Sequence, residues 1–214
     1  MILLFAVAYT QSAAQKDNSA DSSKIAKPFD HKAQIDIGAD FNKFAGRGII
    51  GLHLGLKADI NNVYSTGLNI EVTSNSINDD FGANIPRPIL SVMSLGWINQ
   101  FSLISNDMLR MGTLINLAYM GAALEDPDQK VRRWSKSGYH NYPKVIKSNN
   151  YLDFDPGVFI SLHLASSTWF TAMYKYRLLI GGDEFANQSD FSGSMAVACL
   201  TFIFSTNKAI KPKK

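Results

Sequence analysis

Ile49-Ile50-Gly51-Leu52-His53-Leu54-Gly55-Leu56-Lys57-Ala58-Asp59-Ile60 decides the fold. From position 50 onward, Ile50, Leu52, Leu54, Leu56, Ala58 and Ile60 share one parity, and Gly51, His53, Gly55, Lys57 and Asp59 share the other. Successive side chains of an extended chain point to opposite faces, so the stretch predicts a strand with one apolar and one polar face. After Asn61-Asn62 the pattern resumes as far as Thr73, with Tyr64, Thr66, Leu68, Ile70 and Val72 opposite Ser65, Gly67, Asn69, Glu71 and Thr73. Two such runs joined by two or three turn-forming residues predict a β-hairpin.

The same alternation recurs on both sides of the hairpin. Upstream, Ala33, Ile35, Ile37, Ala39 and Phe41 oppose Gln34, Asp36, Gly38 and Asp40, with a connection expected from Lys43 to Gly48. Downstream, a polar segment from Ser74 to Pro88 leads to a strand over about 89–103, whose apolar residues fall on both parities and leave its orientation open. A fifth strand places Leu109, Met111, Thr113, Ile115, Leu117 and Tyr119 opposite Arg110, Gly112, Asn116 and Ala118. Then comes the longest expected connection, about 122–149. The sixth strand sets Leu152, Phe154, Val158, Ile160, Leu162 and Leu164 against Asp153, Asp155, Gly157, Phe159, Ser161 and His163. In the seventh, Phe170, Ala172, Tyr174, Tyr176 and Leu178 oppose Thr171, Met173, Lys175 and Arg177. An eighth strand is expected near 192–205. Short turns after the second, fourth and sixth strands alternate with longer loops after the third, fifth and seventh. An even-stranded up-and-down barrel groups its short turns at one end and its loops at the other. Eight strands of about 10 to 15 residues each also exceed the ~9–11 that a tilted membrane-spanning strand needs. The expected fold is all-β, an eight-stranded antiparallel up-and-down transmembrane β-barrel.

Composition agrees with that class. Only 18% of the 214 residues are charged and the net charge is +3, too small to argue for nucleic acid. No apolar run reaches the ~18–20 residues of a transmembrane helix. Ile2 to Tyr9 is an apolar block followed by small residues up to Ala14, which reads as a signal peptide over 1–14, although no Lys or Arg precedes the block. Residues 15–31 then form a polar leader, 32–205 the barrel and 206–214 a basic tail. The single cysteine, Cys199, excludes an intrachain disulfide.

Aromatics on the apolar parity fall in two groups: Phe41, Tyr119 and Phe154 near loop ends, Tyr64 and Phe170 near turn ends. Paired interfacial girdles have this spacing. With the signal-like start, the eight strands and the closing Leu200-Thr201-Phe202-Ile203-Phe204, the chain resembles the small eight-stranded outer-membrane β-barrel family of diderm bacteria, over about residues 32–205. The resemblance implies an outer-membrane location with both termini periplasmic, and lipid and lipopolysaccharide as neighbours. The chain departs from the family by continuing past its closing aromatics. Phe202 and Phe204 facing lipid would turn Cys199 and Thr201 inward, with the opposite parity open.

The polar parity places Asp36, Asp40, His53, Lys57, Asp59, Glu71, Arg110, Asp153, Asp155, His163, Lys175 and Arg177 inside, together with Asn69 and Asn116. A barrel of this strand number is just wide enough for side chains to fill, so a lumen plugged by paired polar groups is expected, with a narrow water or ion path as the alternative. Turned inside out, the same period would suit a secreted soluble lipocalin-like barrel holding an apolar ligand. A lipid-modifying enzyme is a third reading, since Ser161, His163, Asp153 and Asp155 share a face. No matching motif surrounds them and they point away from lipid, so no catalytic residue is assigned. The histidines His31, His53, His140 and His163 lack ligand spacing, and neither metal nor cofactor is expected. Arg132, Arg133, Trp134, Lys136, Tyr139 and Tyr142, with Lys130, Lys144 and Lys147 nearby, make the 122–149 segment the candidate surface for an anionic ligand. The other reading of that segment is a solvated loop. The role assigned from sequence is therefore structural or adhesive, carried by external loops.

Overall fold

A computed structural model describes residues 32–44, 47–135, 137–182, 185–186 and 188–205. The expected signal peptide, the leader and the basic tail lie outside the described residues. Eight strands follow one another as β1(Lys32–Phe44), β2(Arg47–Asp59), β3(Tyr64–Ser76), β4(Ile89–Ser105), β5(Leu109–Ser135), β6(Gly138–Ala165), β7(Thr168–Gly181) and β8(Gly193–Ser205). One helical turn, α1(Gln188–Phe191), precedes β8. Each strand pairs antiparallel with the next, and β8 closes onto β1.

The register fixes the shape of the wall. Lys32 faces Asp59, then Ser65, Gln100, Leu114, Gly157, Lys175 and Met195 in turn, and Met195 faces Asn42 of β1, ten residues beyond the start. With ~3.3 Å per residue and ~4.8 Å between strands, that stagger tilts the strands by about 40°. The alternating apolar run from Ile50 to Ile60 then climbs about 25 Å along the barrel axis, the height of the apolar band of an outer-membrane barrel.

Alternation is read out in burial. His53, Asp40, Asp155 and Lys175 are 0% exposed, whereas Leu52, Leu56 and Leu68 keep 50%, 59% and 57% of their surface. The polar parity therefore lines the lumen and the apolar parity faces out all round. A continuous outward belt of Ile, Leu, Val and Phe far exceeds the few hundred Å² of apolar patch that water tolerates, and it is the surface that lipid requires. The lipocalin-like alternative is overturned, because its apolar face would have to be the inner one. Outward aromatics include Tyr64, Phe101, Phe170 and Phe204 toward the short-turn end and Phe41, Tyr119, Phe154 and Tyr176 toward the other. Tyr64 stacks on Phe101 with ring centroids 5.0 Å apart.

At several points a wall strand touches its neighbour so closely that no side chain fits. A Cβ on Gly67 would lie 2.0 Å from the Leu56 carbonyl oxygen, and one on Gly112 would lie 1.9 Å from that of Phe101. Glycine at such positions lets the sheet bend sharply into a small cylinder.

Three sequence expectations are corrected. The 122–149 segment is not a loop: β5 and β6 run on as a paired hairpin up to Ser135 and Gly138. These two strands, 27 and 28 residues long, also exceed the expected strand length. The connection expected from Lys43 to Gly48 is largely strand, since β1 reaches Phe44 and β2 begins at Arg47. The orientation of β4 is now set, with Leu90, Val92, Ser94, Ile98 and Gln100 inward and Met93, Leu95 and Trp97 outward. In β8, Cys199 and Thr201 are buried inward and Leu200 and Phe204 exposed outward.

Candidate functional site

Two regions carry the polar chemistry: the lumen and the hairpin beyond the wall. In the lumen, Glu71 is a hub. Its carboxylate meets Lys175 Nζ at 2.5 Å, Arg177 Nη2 at 2.8 Å and His53 Nδ1 at 3.4 Å. Arg177 Nε lies 3.0 Å from Asp153 and 3.6 Å from Asp155, and Lys175 Nζ lies 3.6 Å from Asp155. Asn116 donates to Asp155 at 2.9 Å. Asp40 accepts from Asn42, whose carbonyl accepts from Arg177. Nearer the short turns, Lys57 pairs with Asp36 at 2.8 Å and donates to Gln100 at 2.9 Å, while Thr201 donates to Asp36 at 2.7 Å. At that end Asp59 accepts from Ser65 and Gln34 and meets Arg110 at 3.4 Å. Burying one such charge costs several kcal/mol, which only partners of this kind offset.

The lumen filling is not purely polar. Ile98, Leu114, Phe159, Met173, Met195, Val197 and Cys199 form an apolar cluster inside the wall. A larger one closes the loop end, built from strand residues such as Phe44, Leu90, Met120 and Tyr151 together with Ile77, Ile85, Phe185 and Phe191 from the loops. Phe191, presented by α1, packs 5.4 Å from Phe44 and 5.7 Å from Tyr151, centroid to centroid. Two interior cavities, one beside Gln34 and Gln100 and one beside Asp40 and Glu71, measure about 10 Å³ each. Each is room for about one water.

His163 stands apart from the network. It is exposed at the β6–β7 turn, where Nε2 lies 2.9 Å from the Ser166 carbonyl and the ring stacks on Trp169. Ser161, two residues away, exchanges its hydrogen bond with Thr171 at 2.8 Å. The serine and the histidine thus each bond to a different partner, Thr171 and the Ser166 carbonyl.

The hairpin leaves the barrel where β5 last pairs with β4, at Glu125, and where β6 first pairs with β7, at Tyr151. Beyond Glu125 the β5 arm continues for about ten residues, a reach of about 30 Å. A bulge between Asp126 and Lys130 holds Pro127, which cannot donate to the ladder. Glu125, Asp126 and Asp128 collect at the base, where Lys144 pairs across from Asp126 and donates to Gln129 at 3.0 Å, while Lys130, Arg132 and His140 lie toward the tip. Trp134 pairs across the ribbon with Tyr139, and they are 71% and 63% exposed. The Arg132 guanidinium sits over the Tyr139 ring at 4.3 Å. Tyr142 is exposed beside His140. Lys147 is drawn back to the Phe81 carbonyl at 3.0 Å. Lys136 and the side chain of Arg133 lie outside the described residues. Alternation could not reveal this ribbon as strand, because neither of its faces is buried.

No protein-family model matches the chain, and no curated protein matches it in sequence. Among solved structures it is similar to Ail, the attachment invasion locus protein of Yersinia pestis, at 13% identity and a TM-score of 0.51, over 82% of this chain and 99% of that one. Ail in complex with the heparin analogue sucrose octasulfate superposes with a TM-score of 0.50, at 13% identity and the same coverage. Neisserial surface protein A follows at 10% identity and 0.48, over 81% of this chain and 94% of that one. At such identities the likeness is one of fold. With closure, inward charge and an outward apolar belt, the chain has the fold of the small eight-stranded outer-membrane β-barrels.

Proposed function

We propose that the protein is a non-enzymatic outer-membrane barrel that binds an anionic polysaccharide, lipopolysaccharide included, through the β5–β6 hairpin. The short turns and both termini face the periplasm and the hairpin projects from the cell. The observation that carries this reading is the exposed aromatic and cationic tip, with Arg132 held on Tyr139 and Trp134 beside it. Cations over or between aromatic faces suit sulfated or phosphorylated sugars, which offer charge to one group and a flat apolar ring face to the other. The bound heparin analogue of Ail supports the same chemistry on a similar fold. In this reading the buried lumen network serves to plug the barrel and fix its register rather than to conduct.

Binding of the full chain in lipid nanodiscs to heparin and to purified lipopolysaccharide tests the proposal. Replacing Lys130, Arg132 and Lys144 by glutamine together is expected to weaken binding by about tenfold or more, equivalent to ~1.4 kcal/mol. Affinity for the unchanged protein should fall as salt rises from low to physiological strength, because exposed charges are screened. Equal binding by the triple variant, or salt-independent binding, would sink this reading.

A further inference from the structure

The short-turn mouth of the barrel holds a cavity of about 350 Å³ that neither the lumen network nor the hairpin uses. Its size falls within the range of small-molecule sites. Trp169 forms its inner wall, 6% exposed, between His163, stacked at 4.9 Å, and the Arg110 guanidinium, 5.0 Å from the indole. Lys32 stands at the rim and makes no ion pair among the described residues, and Ser166 and Ser167 line the same space. Arg110 is only partly neutralised: Asp59 meets one of its nitrogens at 3.4 Å, and Nε has no hydrogen-bond partner. Asp107 is the acid among the lining residues, set against Lys32, Arg110 and a titratable imidazole. The wall is thus the His163 ring and Ile203, backed by the buried indole and rimmed mainly by donors.

We propose that this pocket binds a small anion, a carboxylate or a phosphate, attached to a flat or apolar body. The anion takes Lys32, Arg110 and the Ser166 hydroxyl, since charge-assisted hydrogen bonds to ionised oxygens are the strong ones. The body lies against His163 and Ile203, with Trp169 directly behind the histidine ring. Such anions are offered by the carboxyl end of a peptide and by a phosphomonoester. Under the orientation proposed above, the periplasm is the compartment that supplies them, but the binding itself is independent of that orientation.

The test uses the full chain in detergent with Trp97→Phe and Trp134→Phe, which leaves Trp169 as the only tryptophan. Acetyl-Ala-Ala, its C-terminal amide and phenyl phosphate are titrated while Trp169 emission and the His163 proton resonances are followed. The expected result is a saturable change in Trp169 emission and in the His163 resonances with one or both anions, and binding of the amide at least tenfold weaker. Lys32→Gln, at the start of β1 and outside the lumen network, should weaken anion binding several-fold without altering the unfolding midpoint. A response to the peptide alone identifies a carboxylate site, and a response to phenyl phosphate alone a phosphate site. Silence of both probes toward both anions, or equal affinity for the amide, overturns the proposal while leaving the hairpin reading intact.

Discussion

Replacing Arg177 by leucine is expected to cost about 3–5 kcal/mol of folding stability, the scale on which a buried charge loses its partner. Arg177 reaches Glu71, Asp153 and Asp155 at 2.8, 3.0 and 3.6 Å, so its removal leaves Lys175 to serve Glu71 and Asp155 and strands Asp153 without an ion pair among the described residues. Denaturant unfolding in lipid vesicles, followed by tryptophan emission, would measure the loss. Adding Asp153→Asn to the same chain should recover part of it, because the stranded charge is then gone. A loss below ~1 kcal/mol would mean that water reaches the cluster and that the lumen is open rather than plugged.

A second large effect belongs to the outer wall. Leu68 faces outward at mid-height, paired with Leu56 on one side and Trp97 on the other. Arginine there should destabilise the barrel by ~2–4 kcal/mol, whereas arginine at Leu103, near the short-turn end of β4, should cost about 0–1 kcal/mol. The difference between the two sites reports depth in the bilayer, because a long side chain near the edge carries its charge to the interface. Equal costs at both positions would place the belt outside a membrane.

How far the sequence speaks depends on which solvent each face meets. Ile50 to Ile60 reads cleanly because one parity of β2 meets lipid and the other meets a wet, charged lumen. In β4 the signal fails for a physical reason. Leu90, Val92 and Ile98 point into the apolar layers of the lumen while Met93, Leu95 and Trp97 point outward, so both parities are apolar. The hairpin fails differently: between Lys130 and Tyr142 neither face is buried, and nothing selects for alternation. The apolar cap had a local signal in Ile77, Phe81 and Ile85, a regular set of large apolar residues in an otherwise polar connection. That these residues meet Phe185 and Phe191 follows only from closure of β8 on β1. Parity assigns His163 to the lumen, but its place at the strand end leaves it exposed at the mouth, against Trp169. The Arg110, Trp169 and His163 stack joins β5, β6 and β7, and no spacing within one strand encodes it.

The central claim is that the apolar parity faces lipid. Single cysteines at Leu54, Leu68, Lys57 and Asn69, each in a Cys199→Ala background, would carry a fluorophore, and the folded protein would be placed in vesicles containing a lipid-phase quencher. Leu54 and Leu68 are outward and exposed, whereas Lys57 and Asn69 are buried in the lumen. The account predicts strong quenching at the two leucine positions and little at the other two. Quenching at the lumen positions with protection at the leucines, or no partition of the protein into lipid, would contradict it.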